Sequence, residues 1–449
     1  MEALTILRRL GFFDYEQALP TLAHTAAKMA AAAGGNGPEP RFEAWPTYIP
    51  VSPPSRRHPL VLSLHIGAGG TRAAVRQSEG EDRQRWRFLF AASHHDLRPP
   101  DSKHHCFEYF ADLIARRTAD AVAALGIRRR SLEACGAVWV NPLENLPIDG
   151  RGITGRIIYR EGYHKGEWFL TSARNGFDIG LSLLAALDHA GIHIKKFIVC
   201  NNAPLIMKAL VFADGGVSLS RGLNGTLVKP LPQRGRQAVV CNAEMGSRWQ
   251  IPEPLLTRAD LIDDRRRAQS MENLCAGWAL PRLLAQYIIT LDYNGCAALA
   301  PLSRRLFELG TARWTFFDAK DLIDLLAEPS AFSRRHTDPD LFSRDAVHTL
   351  TEIVRALTIR AARLGAVAAY ATVSCQLEEK ESCTVALDSF WARSLPFFLD
   401  NFKRSLIEIT PARRTIDLRL LEPLAVDGGE ITVPMLGSGH AVDNLLDRA

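Results

Sequence analysis

The chain has 449 residues, 47% hydrophobic and 23% charged, with a formal net charge of +5. That length supports two or three domains with full cores, the composition is ordinary for a globular protein, and so small a net charge argues against a nucleic-acid partner. The 8 cysteines form no C-x-x-C pair and no short regular spacing, which argues against a zinc site or a disulfide framework and for a reducing, cytoplasmic setting.

The opening residues, MEALTILRRLGFFDYEQAL, carry acids at Glu2, Asp14 and Glu16. They do not read as a signal peptide, and no apolar run approaches the ~20 residues of a membrane span. Residues 3–33 read as one or two amphipathic helices, expected to pack against the large lobe rather than to anchor to a partner or a membrane surface. GGNGPEP and VSPPSRRHP bracket a loop-rich connection from Gly34 to Pro59. The first clear strand is LVLSLHI, Leu60 to Ile66, breaking into GAGGT; TRAAVRQ and WRFLFAAS continue a strand meander.

SHHDLRPPDSKHHC, Ser93 to Cys106, holds four histidines and a cysteine. These are metal-ligand types, but the segment is polar, contains proline and has no ligand pair at i, i+4, so a solvated loop is expected and no metal is assigned. A long helix follows, with Phe107, Phe110, Ile114, Ala121 and Leu125 at helical spacing. The runs Arg128-Arg129-Arg130 and Arg265-Arg266-Arg267 read as solvated surface. ACGAVWVN is the next strand, and GLSLLAALDHAGI a helix with its glycine stop at Gly191.

FIVCNN is then a strand, APLIMKALVFA a helix, and GTLVKPL and AVVCNAE two more strands. SMENLCAGWALPRLLAQYII reads as one helix, and another runs from Ala346 to Thr372. CTVALDSF is a late strand and LPFFLDNFKRSLIEI a helix. After LRLLEPLAV, the stretch MLGSGHAVDNLL reads as a glycine turn feeding a short helix. Two successive units of strands and helices indicate an α/β protein with two lobes, whose ligands bind in the cleft at the C-terminal ends of strands.

Three glycine turns, GAGGT at Gly67, SRGLNGT around Gly222 and LGSGHA at Gly437, are candidates to present backbone N–H groups to phosphate. None matches the P-loop pattern. The order of these turns and the segments between them resembles the hexokinase family. LSLHIGAGGTRAAV is similar to the family's L-x-L-D-L-G-G-T-N-F-R-V, FIVCNNAPL to V-x-L-V-N-D-T-V-G, VVCNAEMGS to N-x-E-W-G, and QSMENLCAGWALPRLL to Q-x-x-E-K-x-x-x-G-x-Y-x-G-E-L. TVALDSFWARSLPFF is similar to V-x-V-D-G-S-x-Y-x-x-H-P-x-F, and LGSGHAVDNLL to G-S-G-K-G-A-A-L. The resemblance runs from about Leu60 to the C-terminus.

It implies a two-lobed actin-like ATPase fold (hexokinase-type, ribonuclease H-like): an N-terminal helical segment and linker at 1–59, a small lobe at 60–200, a large lobe at 201–435, and a C-terminal helix at 436–449 returning to the small lobe. It also implies a hexose ligand of glucose type, with Asn201, Asn242, Glu244, Glu272, Arg174 and Asn175 on the sugar side. Carboxylates accept from pairs of sugar hydroxyls, and amides both donate and accept. Ordinary structural readings stand beside these: Asn201 as a helix cap, Glu272 as a solvated helix residue, Asp388 as a turn former. ATP with Mg²⁺ is implied at Gly67, Gly69, Arg72, Gly222, Thr226, Asp388, Ser389, Gly437, Ser438 and Gly439.

On the phosphoryl side the chain departs from the family. Asn202 stands where the family's general-base aspartate takes the proton from the sugar's 6-hydroxyl, and an amide oxygen is far too weakly basic for that. General bases contribute roughly 10²- to 10⁴-fold, about 3–5 kcal/mol of barrier. His65 replaces the aspartate of the first phosphate motif, Asn175 falls at the lysine of T-K-G-F, and Leu223 and Asn224 stand where a Thr-Gly pair is expected. His440 replaces the lysine of G-S-G-K. Two readings follow: a hexokinase with slow or altered transfer, or a hexose-binding descendant that closes on sugar without turnover, as a sensor with a regulatory protein partner. The departures favour the second.

Overall fold

The computed structural model describes residues 2–9, 15–34, 45–52, 54, 57–79, 83–158, 168–170, 176–230, 238–251, 255–261 and 270–445. In chain order the elements begin α1 (Glu2–Arg9), α2 (Tyr15–Gly34), β1 (Trp45–Pro50), β2 (Leu60–Ile66), β3 (Gly70–Glu79), β4 (Arg83–Ser93), α3 (Phe107–Ala124), β5 (Ala134–Trp139), β6 (Leu143–Ile148) and β7 (Gly152–Ile157). Then come α4 (Ile179–His189), β8 (Lys196–Asn201), α5 (Asn202–Ala209), β9 (Gly215–Leu219), β10 (Leu223–Pro230), β11 (Ala238–Asn242), α6 (Met245–Arg248), α7 (Met271–Cys275) and α8 (Ala279–Tyr293). The remainder is α9 (Ala300–Glu308), α10 (Ala319–Ala327), α11 (Pro329–Arg335), α12 (Arg344–Glu379), β12 (Ser382–Asp388), α13 (Phe390–Ser394), α14 (Phe398–Ile409), β13 (Thr415–Leu420), β14 (Leu424–Val426), β15 (Gly429–Ile431) and α15 (Val433–Asp443).

The chain divides into two compact units, the first Met1–Phe42, Val217–Gly225 and Glu244–Leu420, the second Glu43–Gly216, Thr226–Ala243 and Leu421–Ala449. Among the described residues no helix is long and apolar enough to cross a membrane.

The second unit is built on a 7-stranded sheet ordered β4-β3-β2-β5-β8-β7-β6. Its centre, β2, β5 and β8, is parallel. Parallel strands are covered on both faces and so read as unbroken apolar runs, and β5 is buried along its whole length. On one face α3 and α4 close a core of Phe107, Phe110, Trp139, Leu183 and Phe197. On the other, α5 and α15 close a second around Val61, Val138, Ile198, Leu205 and Met435. α4 starts on Asp178, whose side chain accepts the Leu181 N–H, and the chain leaves it through Gly191 at φ 78°, a left-handed conformation that glycine adopts without steric cost.

The glycine turn expected at Gly437 is instead the interior of α15, with Gly437, Ser438 and Gly439 all buried. The small residues there permit close packing. A Cβ on Gly437 would lie 1.6 Å from the Leu205 carbonyl oxygen, and one on Gly439 would lie 3.2 Å from Trp86. Across the same contact Gly136 of β5 faces Ser438, whose hydroxyl lies 2.9 Å from that of Ser63 on β2.

The histidine-rich segment departs from a solvated loop at its buried positions, His94, Leu97 and Pro99. His94 is buried, edge-on to Phe110 and Phe169, with Nε2 3.1 Å from Thr71 Oγ1. His95 and His104 are exposed.

In the first unit the sheet order is β10-β9-β12-β13, with β12 and β13 parallel. The helix expected over 346–372 is longer at both ends: α12 has 36 residues, starting where the Ser343 hydroxyl accepts the Ala346 N–H. α2 and α14 lie along it, so the N-terminal segment does pack against the protein. The single helix expected over 270–289 is two, α7 and α8. Gly277 breaks it by donating its N–H to the Ser220 carbonyl at 2.7 Å, at a spot where a Cβ would strike that carbonyl. Arg360 of α12 is fully buried and grips Asp260 at 2.6 and 3.0 Å, with the Tyr287 hydroxyl alongside.

Candidate functional site

In the second unit β2, β5 and β8 run parallel in the register Ile66↔Trp139↔Asn201. Their C-terminal ends therefore align, and the polar residues that close or follow them, His65, Asn141, Asn201 and Asn202, share one edge of the sheet. Asn201 takes its ordinary structural role as the cap of α5: Oδ1 accepts the Ala203 N–H at 3.3 Å and Nδ2 donates to the Asn141 carbonyl at 3.2 Å. Asn202 is the first residue of α5 and only partly buried. Asn141 is a residue that sequence reasoning missed. It is 8% exposed, and its Oδ1 is buried without a hydrogen-bond partner. The available signal was the same ending, an apolar strand running into asparagine, in VWVN as in IVCNN.

The first glycine turn is the β2–β3 hairpin. Gly67 donates its N–H to the Gly70 carbonyl at 2.8 Å, and exposed Gly69 has φ 108°. His65 pairs across the strands with Arg72, and its Nδ1 lies 2.9 Å from Thr432 Oγ1. Loss of solvent, and then the Arg72 charge, lower the His65 pKa to about 3, so the ring is neutral near pH 7.

Elsewhere in this unit the candidate positions are buried or partly buried. Thr226 is fully buried, its hydroxyl accepting the Gly216 N–H at 2.7 Å. Asn242 closes β11, 1% exposed and opposite Thr226. His440 points Nδ1 at the Lys208 carbonyl, 3.1 Å away, and burial lowers its pKa.

In the first unit, Glu244 has left-handed backbone at φ 44° and is 7% exposed. A non-glycine residue held there is strained, and such strain persists where surrounding structure fixes it, commonly at binding sites. Asn224 holds its carboxylate, donating from Nδ2 to Oε1 at 3.1 Å while its own Oδ1 accepts the Gly225 N–H. Glu272 is partly exposed on α7, and its Oε1 would be 2.6 Å from a Cβ on Gly222; glycine at 222 lets the carboxylate lie on the turn. That turn is pinned by the Phe390 N–H donating to Ser220 Oγ at 3.2 Å. Asp388 pairs with Arg393 at 2.9 Å, and the Ser389 hydroxyl caps α13 by accepting the Ala392 N–H. Arg174 and Asn175 lie outside the described residues.

Residues 216–430 match the hexokinase family. Two solved hexokinases share the fold. One, from Schistosoma mansoni and complexed with glucose, aligns at TM-score 0.70 and 15% identity over 97% of this chain and 98% of its own. A second hexokinase aligns at 0.73 and 19% identity over 99% and 98%. The fold is thus the actin-like ATPase fold of hexokinases. No curated protein sequence matches the chain.

Hexokinases in general depend on ATP and Mg²⁺. The residues of the first turn do not fit the metal. His65 and Arg72 stand where a carboxylate is wanted, and hard cations take oxygen ligands. Asp388, the carboxylate among the nucleotide-side residues, is already paired with Arg393. Among the described residues no group of three His, Cys, Asp or Glu is placed to hold a metal.

Proposed function

We propose that this hexokinase-family chain binds a glucose-type hexose and that its transfer of phosphate to the 6-hydroxyl is weak or lost. One observation carries the hexose reading: Glu244, a buried carboxylate on strained backbone held by Asn224, lies inside the stretch that matches the family. Such a carboxylate accepts from paired hydroxyls, and Glu272 supplies another. The Schistosoma hexokinase is complexed with glucose, which supports the choice of sugar. The weakness of transfer rests on Asn202, whose amide cannot take the hydroxyl proton and can only orient it.

Phosphoryl transfer relies mainly on positioning and electrostatics, so a working hexokinase with an altered site is the second reading, favoured by the partial exposure of Asn202 at the head of α5. The described cysteines are free, which fits a cytoplasmic protein. Calorimetric titration with glucose tests the hexose reading. Binding in the wild type, lost in both Glu244→Gln and Glu272→Gln, supports it; absence of binding, or binding indifferent to both changes, refutes it.

A further inference from the structure

The mismatch between the first turn and a divalent cation is itself informative. His65 sits at the end of β2 with Nδ1 fixed against Thr432 Oγ1 at 2.9 Å. Thr432 is the residue before α15, yet its side chain makes no capping bond, so its hydroxyl is committed to the ring. When that hydroxyl donates to Nδ1, the ring proton resides on Nε2. Nε2 lies along the turn, 3.6 Å from where a Cβ on Gly67 would be. Arg72 is the cross-strand neighbour of His65 and is exposed. In that tautomer one turn brings together an imidazole N–H, the guanidinium of exposed Arg72 and the exposed backbone of Gly69.

We propose that this turn is a metal-independent site for a polyphosphate anion, in which His65 and Arg72 meet negative charge directly. The inference rests on the turn being the phosphoryl end of the proposed hexose-binding protein. A guanidinium and an imidazole donor attract an anionic phosphate chain and repel a divalent cation carried with it. Magnesium bound to the ligand thus works against the site, the reverse of what a carboxylate at position 65 would give. Two sources share the chemistry, a nucleoside triphosphate and a free polyphosphate.

The test is calorimetric titration of the full chain with inorganic tripolyphosphate and with ATP, each in EDTA and in excess Mg²⁺, with glucose titrated into the same samples. The expected result is tighter binding in EDTA, by about fivefold or more for one nearby charge. Tripolyphosphate binding like ATP means that the phosphate chain is the ligand; ATP binding alone means that the site serves a nucleotide. His65→Asp should reverse the order, making binding depend on Mg²⁺. Arg72→Gln, at an exposed position, should weaken metal-free binding without disturbing the fold. Binding only with Mg²⁺, equal binding in both conditions, or no binding overturns the proposal, and retained glucose binding then leaves the hexose reading standing. Metal-free phosphate binding without glucose binding would do the opposite.

Discussion

Arg76 of β3 and Asp443 of α15 meet in a two-pronged ion pair, Nη1 to Oδ2 and Nη2 to Oδ1 both at 2.7 Å, with neither side chain exposed. The same carboxylate accepts the His58 N–H at 2.9 Å, so one aspartate ties the C-terminal helix to two other segments. Removing one partner of a buried pair strands a charge, at a cost of about 3–5 kcal/mol. Asp443→Ala should lower the unfolding free energy extrapolated from urea melts by that much. The joint change Arg76→Met, Asp443→Leu should cost far less, because it leaves no buried charge. Equal losses would show that the packing of α15, and not the charge, is what matters.

Gly437→Ala asks the same helix for space it lacks. The added methyl would fall 1.6 Å from the Leu205 carbonyl oxygen, so α15 and α5 must separate. Overpacking of this kind costs roughly 1–3 kcal/mol, sometimes more. A thermal melt should show the loss; an unchanged melt would mean that the two helices are not in close contact.

Lys208 should make stability rise with pH in an alkaline window. Its Nζ donates to the carbonyls of Pro50, Val51 and Ser52 at 3.1–3.2 Å, but burial lowers its pKa from 10.5 to about 8. Between those values the unfolded chain holds more protons than the folded one, so stability climbs as pH rises. Below about 8 both forms are protonated and the burial cost is felt in full. The three carbonyl bonds offset part of it, leaving a gain of at most about 3 kcal/mol. Urea unfolding at several pH values from 7.5 to 10.5, on wild type and Lys208→Met, should show a rise in wild type that the variant lacks. Parallel curves would refute it.

Asn224→Ala should weaken glucose binding through Glu244, not by unfolding. Loss of one buried hydrogen bond to a charged group costs about 1.5–3 kcal/mol, or roughly 10- to 150-fold in affinity. Asn224→Asp, which sets two carboxylates against each other, should weaken it further, and the more so as pH rises and both ionise. Unchanged titrations for both variants would mean that Glu244 does not need this neighbour.

The central strands of the second unit were legible because burial on both faces makes each a continuous apolar run, and FIVCNN announced its own ending. α15 was not legible. Gly437 and Gly439 look like turn residues, and only Leu205 and Trp86, distant in sequence, explain why glycine is needed inside a helix. The break at Gly277 is likewise set by Ser220 and Trp391, which local periodicity does not contain. In the candidate site the amide pair at 201 and 202 could be read directly. The capping role of Asn201 was also open to the sequence, because a helix reads directly after it, whereas the grip of Asn224 on Glu244 required the strands that bring them together.

In the proposed function, Asn202 leaves the protein able to hold a hexose but poor at phosphorylating it. The direct measurement is formation of glucose 6-phosphate from glucose and ATP with Mg²⁺, on wild type and Asn202→Asp side by side. The wild-type rate should lie near background, with a rise of roughly 10²-fold or more on restoring the carboxylate. A wild-type rate already well above background, with no gain in Asn202→Asp, would contradict it.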